Sequence, residues 1–204
     1  MLAVVMGVVA SSSLGGQQGQ KWVEQPDAGA KPGGAQAVRG TGQLKVIKGM
    51  LVGVDMFKIC ADPGFSASTI GGADFDSQLF LFDSHGVGLY ANDDSGGTLQ
   101  SELPAGHPNG PSIRGEYFLA ISSYDRDPVN GPVPRSPALI FPTFPFDQVH
   151  GRFTDTGHVT GWEGVGFGSG AYKISLTGAE FLNRHARCVH EEEMPLGAER
   201  IDKG

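Results

Sequence analysis

Seven carboxylates crowd the stretch 59–113, which holds no Lys or Arg: Asp62, Asp74, Asp76, Asp83, Asp93, Asp94 and Glu102. The whole chain has 22 acidic and 15 basic residues, so the formal net charge of -7 resides in this one segment. Like charges brought close together repel unless water or a cation screens them. A hard divalent cation such as Ca2+ takes several oxygen ligands at once, and carboxylates are among its usual donors. The residue types therefore offer a Ca2+ site or a solvated acidic rim, with Asp74, Asp76, Asp93 and Asp94 as the candidate ligands. Hydrolysis by a pair of these aspartates is a further chemistry, and it needs two carboxylates about 5–10 Å apart in a cleft.

Other motifs are weaker. Gly86-Val87-Gly88-Leu89-Tyr90-Ala91 has the spacing of a dinucleotide fingerprint. The residues that follow, Asn92-Asp93-Asp94-Ser95-Gly96-Gly97, cannot open an apolar helix and would repel a pyrophosphate, so a glycine hairpin is the reading. Phe167-Gly168-Ser169-Gly170 lacks the first glycine of a nucleophile elbow. None of the six histidines forms a His-Glu-x-x-His zinc pattern; His185, Cys188 and His190 cluster in a solvated tail. No serine, cysteine or threonine is paired with a base by spacing, and the chain reads as a non-enzyme.

Apolar runs place the carboxylates. Residues 78–82 are apolar on both faces and read as a central strand; 87–91 return as its hairpin partner across Ser84-His85-Gly86. Five acids flank these two runs. In 55–60, Met56, Lys58 and Cys60 share one face while Asp55, Phe57 and Ile59 share the other. Segments 44–49, 50–54, 65–70 and 116–122 also read as strands. Tyr172, Ile174 and Leu176 alternate with Lys173, Ser175 and Thr177 in the last strand. With 32 glycines and 13 prolines between short strands, and no helical period before residue 179, the pattern predicts an all-β, jelly-roll-like antiparallel sandwich of roughly seven to nine strands.

The organisation follows. Residues 1–16 read as a secretory signal peptide: 2–10 are continuously apolar, Val8-Val9-Ala10 suits a cleavage site, and the run is too short for a membrane span. The alternative is a buried N-terminal strand. Residues 17–42, rich in Gly, Gln, Ala and Pro, read as a linker or an extended arm. The sandwich domain is 43–179, with a proline-rich insertion at 125–170 whose aromatic residues suggest that it packs onto the sandwich. Residues 180–204 form a polar tail predicted as a short helix or disorder. Cys60 and Cys188 either pair or stay as thiols.

Five pieces in order resemble the bacterial pre-peptidase C-terminal domain. They are 23–29, with Glu24, Pro26 and Asp27; 49–59, ending in the Asp55 strand; Asp83-Ser84-His85-Gly86; 115–121; and 170–176. The resemblance covers about residues 23–179. It implies an exported jelly-roll-like sandwich that acts as an accessory module and not as a catalyst. Some members of the family bind Ca2+ through the opening acidic segment and an Asp-x-Asp strand, which carries over to Glu24, Asp27 and Asp55. Gly53 stands where the first Asp of that strand would be, and Gln25-Pro26-Asp27 replaces a fuller acidic run. The expected protein is a secreted or envelope monomer that contacts protein or polysaccharide through exposed aromatics, with Tyr124, Phe144 and Trp162 the candidates. A purely structural envelope protein and a carboxylate-dependent hydrolase are the alternatives. The acidic balance argues against a nucleic-acid partner.

Overall fold

A computed structural model describes residues 20–131 and 138–188. The predicted leader, His190 and the Glu191-Glu192-Glu193 run lie outside the described residues. The strands in chain order are β1 (Lys21–Val23), β2 (Gln36–Ala37), β3 (Val46–Leu51), β4 (Val54–Ser68), β5 (Ser77–Phe82), β6 (Gly88–Asn92) and β7 (Glu102–Leu103). Next come β8 (Gly115–Ser123), β9 (Asp127–Asn130), β10 (Ala138–Leu139), β11 (His150–Gly151), β12 (Gly161–Glu163) and β13 (Gly170–Glu180). Ten of them form one large sheet in the order β1-β3-β13-β4-β8-β5-β6-β11, with β2 and β7 attached to β4; β10-β9-β12 form a second, small sheet. The chain is thus almost all β and sandwich-like, as its alternation predicts. The number of strands exceeds the expected seven to nine because several are only two or three residues long.

Side chains alternate between the two faces of a strand, and here both faces of the central strands are covered. Leu79 and Leu81 of β5 enter the larger core together with Phe57, Ile59, Leu119, Ile121, Tyr172 and Ile174. Phe80 and Phe82 point the other way, into a second core with Met56, Ile140, Phe141 and Trp162. Every residue of β5 is buried, which is what its unbroken apolar run requires. The proline-rich insertion covers this face, contributing Ile140, Phe141, Val159 and Trp162 to the second core. Phe80 meets Trp162 edge-on at 5.3 Å, and Phe82 meets Phe141 at 5.9 Å. Each such ring contributes about 1.5–3 kcal/mol by burial.

Three expectations change and one open alternative resolves. The 17–42 segment is an arm integrated into the sheet: β1 runs parallel to β3 and β2 runs parallel to β4, so the large sheet is mixed and not purely antiparallel. Ala28 and Val38 of that arm are buried. The domain also extends past 179, because Glu180 still pairs with Cys60, and Phe181 and Leu182 are buried against the core. Two apolar residues there outweigh the polar composition of the rest of the tail. Trp162 is not on the surface; it is 7% exposed, and its indole N–H donates to the Ala30 carbonyl at 2.6 Å. Finally, the two cysteines pair: Cys60 of β4 and Cys188 form a disulfide with Cα atoms 5.1 Å apart, within the ordinary range for such a bridge.

Candidate metal centres

The β5–β6 hairpin explains how one group of aspartates converges. Its tight end is closed by Asp83, whose carboxylate accepts the backbone N–H groups of His85 and Val87 at 2.8 and 2.9 Å, with Gly86 at φ 78°. Only glycine adopts that dihedral without cost. At the open end the chain enters β5 from Asp76 and leaves β6 into Asp93 and Asp94. Antiparallel pairing of Leu79 with Asn92 brings these residues together. One carboxylate oxygen from each of Asp76, Asp93 and Asp94 lies within 4.8 Å of the others.

The open end is pinned by backbone and amide contacts. The Asn92 amide donates to the carbonyls of Asp94 (2.9 Å) and Gln148 (3.1 Å) and accepts from the Glu102 N–H at 2.8 Å. The Asp94 N–H donates to the Phe146 carbonyl, and the Tyr124 N–H to the Asp76 carbonyl. None of these contacts reaches the carboxylates. Asp76 Oδ1, Asp93 Oδ1 and Asp94 Oδ1 are all buried and without a hydrogen-bond partner. No Lys, Arg or His lies in ion-pair range of the trio among the described residues. Burial, reinforced by the Asp76, Asp94 and Asp127 charges, pushes the Asp93 carboxyl up to about 8. Burial and the Asp94 charge push Asp76 up to about 6, and burial with the Asp147 charge raises Asp94. A site that raises three neighbouring carboxyls disfavours their charged forms until a cation enters.

The second group is Glu24, Asp27 and Asp55, whose ligand atoms also lie within 4.8 Å of one another. Glu24 follows β1 and reaches over β3: its carboxylate accepts the N–H of Ala28 at 2.7 Å and of Met50 at 3.0 Å. Asp55, the second residue of β4, is 1% exposed, and its Oδ2 has no partner. Burial pushes Asp55 up to about 7, and the charges of Glu24 and Asp27 add to the shift. The Tyr172 hydroxyl beside it acts in the opposite direction without closing a hydrogen bond of good geometry; it too is buried and unpartnered. Gly49 makes room for this arrangement. A Cβ there would collide with the Glu24 carboxylate and the Tyr172 hydroxyl.

Six of the seven predicted ligands therefore fall into two trios. Asp74 belongs to neither: it lies on an exposed bend between the strands. The donor sets differ in quality for Ca2+, which takes 6–8 oxygens. Glu24 spends both oxygens on backbone N–H groups, and Asp27 is exposed, so the first trio has one fully unsatisfied carboxylate oxygen. The Asp76 trio has three, and fits a hard cation better. Tyr172, Gln78 and Asp127 are participants that sequence reasoning missed. Tyr172 reads there as an ordinary inward-facing strand residue, and Asp127 as one acid among several in an irregular insertion.

Comparison with protein-family models, with curated proteins and with solved structures finds no match for this chain.

Proposed function

We propose that the chain is an exported, non-catalytic β-sandwich module that Ca2+ stabilises at the Asp76, Asp93 and Asp94 trio and that engages a protein or polysaccharide partner. One observation carries this reading: three buried, unpartnered carboxylate oxygens converge with no cationic side chain in ion-pair range among the described residues. Three acids packed this way weaken the fold unless protonated or bridged, and Ca2+ bridges them with the chemistry they offer. Glu24, Asp27 and Asp55 supply a second, weaker position. The disulfide supports export, because such bridges persist in oxidising compartments. The sandwich and the ordered pieces resembling a pre-peptidase C-terminal domain support an accessory role.

The test is a thermal melt in CaCl2, in MgCl2 and in EDTA. Calcium at 100 times its Kd stabilises by about 2.7 kcal/mol, so the melt rises in CaCl2 and falls back in EDTA. Asp93→Ala with Asp94→Ala removes most of that rise, and Asp55→Ala a smaller part. A wild-type melt that neither calcium nor EDTA moves overturns the reading.

A further inference from the structure

Beside the Asp76 trio lies a cleft of about 370 Å³ lined by Gln78, Asp93, Tyr124, Asp127, Phe144 and Glu163, among others. We propose that this cleft takes a cationic side chain, the ammonium or guanidinium group of a basic peptide segment, between the rings of Tyr124, Phe144 and Phe146 and the carboxylates of Asp127 and Glu163.

Three independent features point to that chemistry. First, Asp127 and Glu163 sit directly opposite each other in the β9–β12 register. Like charges so placed weaken a strand pair unless something positive lies between them. No ion pair to either carboxylate occurs among the described residues. Arg126, the neighbouring base, instead donates to the Gly164 carbonyl. Second, the floor holds an unsatisfied buried carboxyl group. Asp93 is 8% exposed and its Oδ1 has no partner. Gln78 is locked beside it, donating to Asp127 at 3.1 Å and accepting from the Ser122 hydroxyl at 3.2 Å. Third, the wall is aromatic and open. Phe144 is 71% exposed and meets Phe146 at 5.5 Å with the rings perpendicular; Phe146 meets Tyr124 at 5.7 Å.

An alkylammonium or guanidinium group satisfies both walls at once. Its charge answers the carboxylates, while its apolar stem and its charge both suit the ring faces. A neutral sugar would leave the carboxylates unanswered, and a bare metal ion would make no use of the rings. Burial also pushes Asp127 up to about 6, with the Asp125 and Glu163 charges adding, which a bound cation would reverse. This inference goes beyond the calcium reading: Asp127, Glu163, Phe144 and Phe146 belong to neither trio, and Asp93 alone is shared.

Isothermal titration of the full chain with tetralysine amide, in 2 mM CaCl2 and again in EDTA, tests it. Tetraglycine amide and cellopentaose serve as neutral probes. Tetralysine is expected to bind and the neutral probes are not. Phe144→Ala, at a largely exposed position, should weaken binding about two- to fivefold, and Asp127→Asn with Glu163→Gln should weaken it roughly tenfold or more. No tetralysine binding in either buffer, unchanged affinity in the Phe144→Ala chain, or cellopentaose binding in place of tetralysine each overturns the proposal. The calcium response of the melt reads the Asp76 trio separately, so either idea can fail alone.

Discussion

Replacing Asp93 by Asn should strengthen the metal-free protein and weaken the calcium-loaded one. The folded protein holds the Asp93 carboxyl at about 8, against an ordinary value of 3.8, chiefly through burial. Because the folded value is the higher one, the folded state binds a proton that the unfolded chain releases. The stability linked to this group is complete below about pH 4 and is lost as pH rises through 8. At pH 7 the unfolded chain has passed its own titration by roughly three units. At about 1.4 kcal/mol per unit the penalty is on the order of 4 kcal/mol. Asp76, Asp94 and Asp127 share this shift with Asp93 and solvent reaches part of the site, so the figure stands as a ceiling. An asparagine carries no charge to bury and brings N–H donors toward Asp76 and Asp94. For a domain of this size 1 kcal/mol moves Tm by about 2–4 °C, so Asp93→Asn in EDTA at pH 7 should melt several degrees above wild type. The gap should grow from pH 4 to pH 8. In saturating CaCl2 the order should reverse, because the variant has lost an anionic ligand. Circular-dichroism melts of both proteins across that pH range, with and without calcium, are sufficient. A variant that melts below wild type in EDTA at pH 7 refutes the argument that this carboxyl is buried against its own charge.

Further outcomes follow from the packing. Gly49→Ala should cost about 1–3 kcal/mol in denaturant unfolding, because the new methyl displaces the Glu24 carboxylate and the Tyr172 hydroxyl. The double change Cys60→Ser and Cys188→Ser opens a loop with a sequence separation of 128; chain entropy alone puts the loss near 5 kcal/mol, checked by comparing the melt with that of the oxidised wild type, while the reduced wild type should melt with the variant. Trp162→Ala should cost about 3–5 kcal/mol, since it empties a second-core position and removes the tie to Ala30. Native-state proteolysis should then cut first within the N-terminal arm.

The parts legible in the sequence are those set by local periodicity. The unbroken apolar run before Asp83 marks a strand covered on both sides, and β5 is buried throughout. The turn at Ser84-His85-Gly86 sets the hairpin, and the hairpin brings Asp76 to Asp93 and Asp94, which is why charge crowding alone found that trio. What depends on long-range register stayed hidden. Asp127 reads as one more loop acid until β12 places Glu163 opposite it. Tyr172 alternates with Ile174 and Leu176 as any core residue would, and only the glycine across from it on β3 shows that its hydroxyl heads for Asp55. Trp162 resembles a surface aromatic because glycines and polar residues flank it, whereas tertiary packing buries it. The pairing of the arm is hidden for a similar reason: parallel pairing leaves little alternation behind in a segment of two or three residues.

The position of β13 has a consequence for biogenesis. The last strand among the described residues lies between β3 and β4, two strands formed much earlier in the sequence. A nascent polypeptide that has not yet reached Gly170 holds both neighbours without the element that joins them, and their unmated amides and carbonyls face any other extended peptide nearby. Closure of the large sheet therefore waits until Gly170–Glu180 has been made, and the many distant pairings make it slow. Until then the open edges of β3 and β4 are the places where a strand from a second copy would pair by mistake.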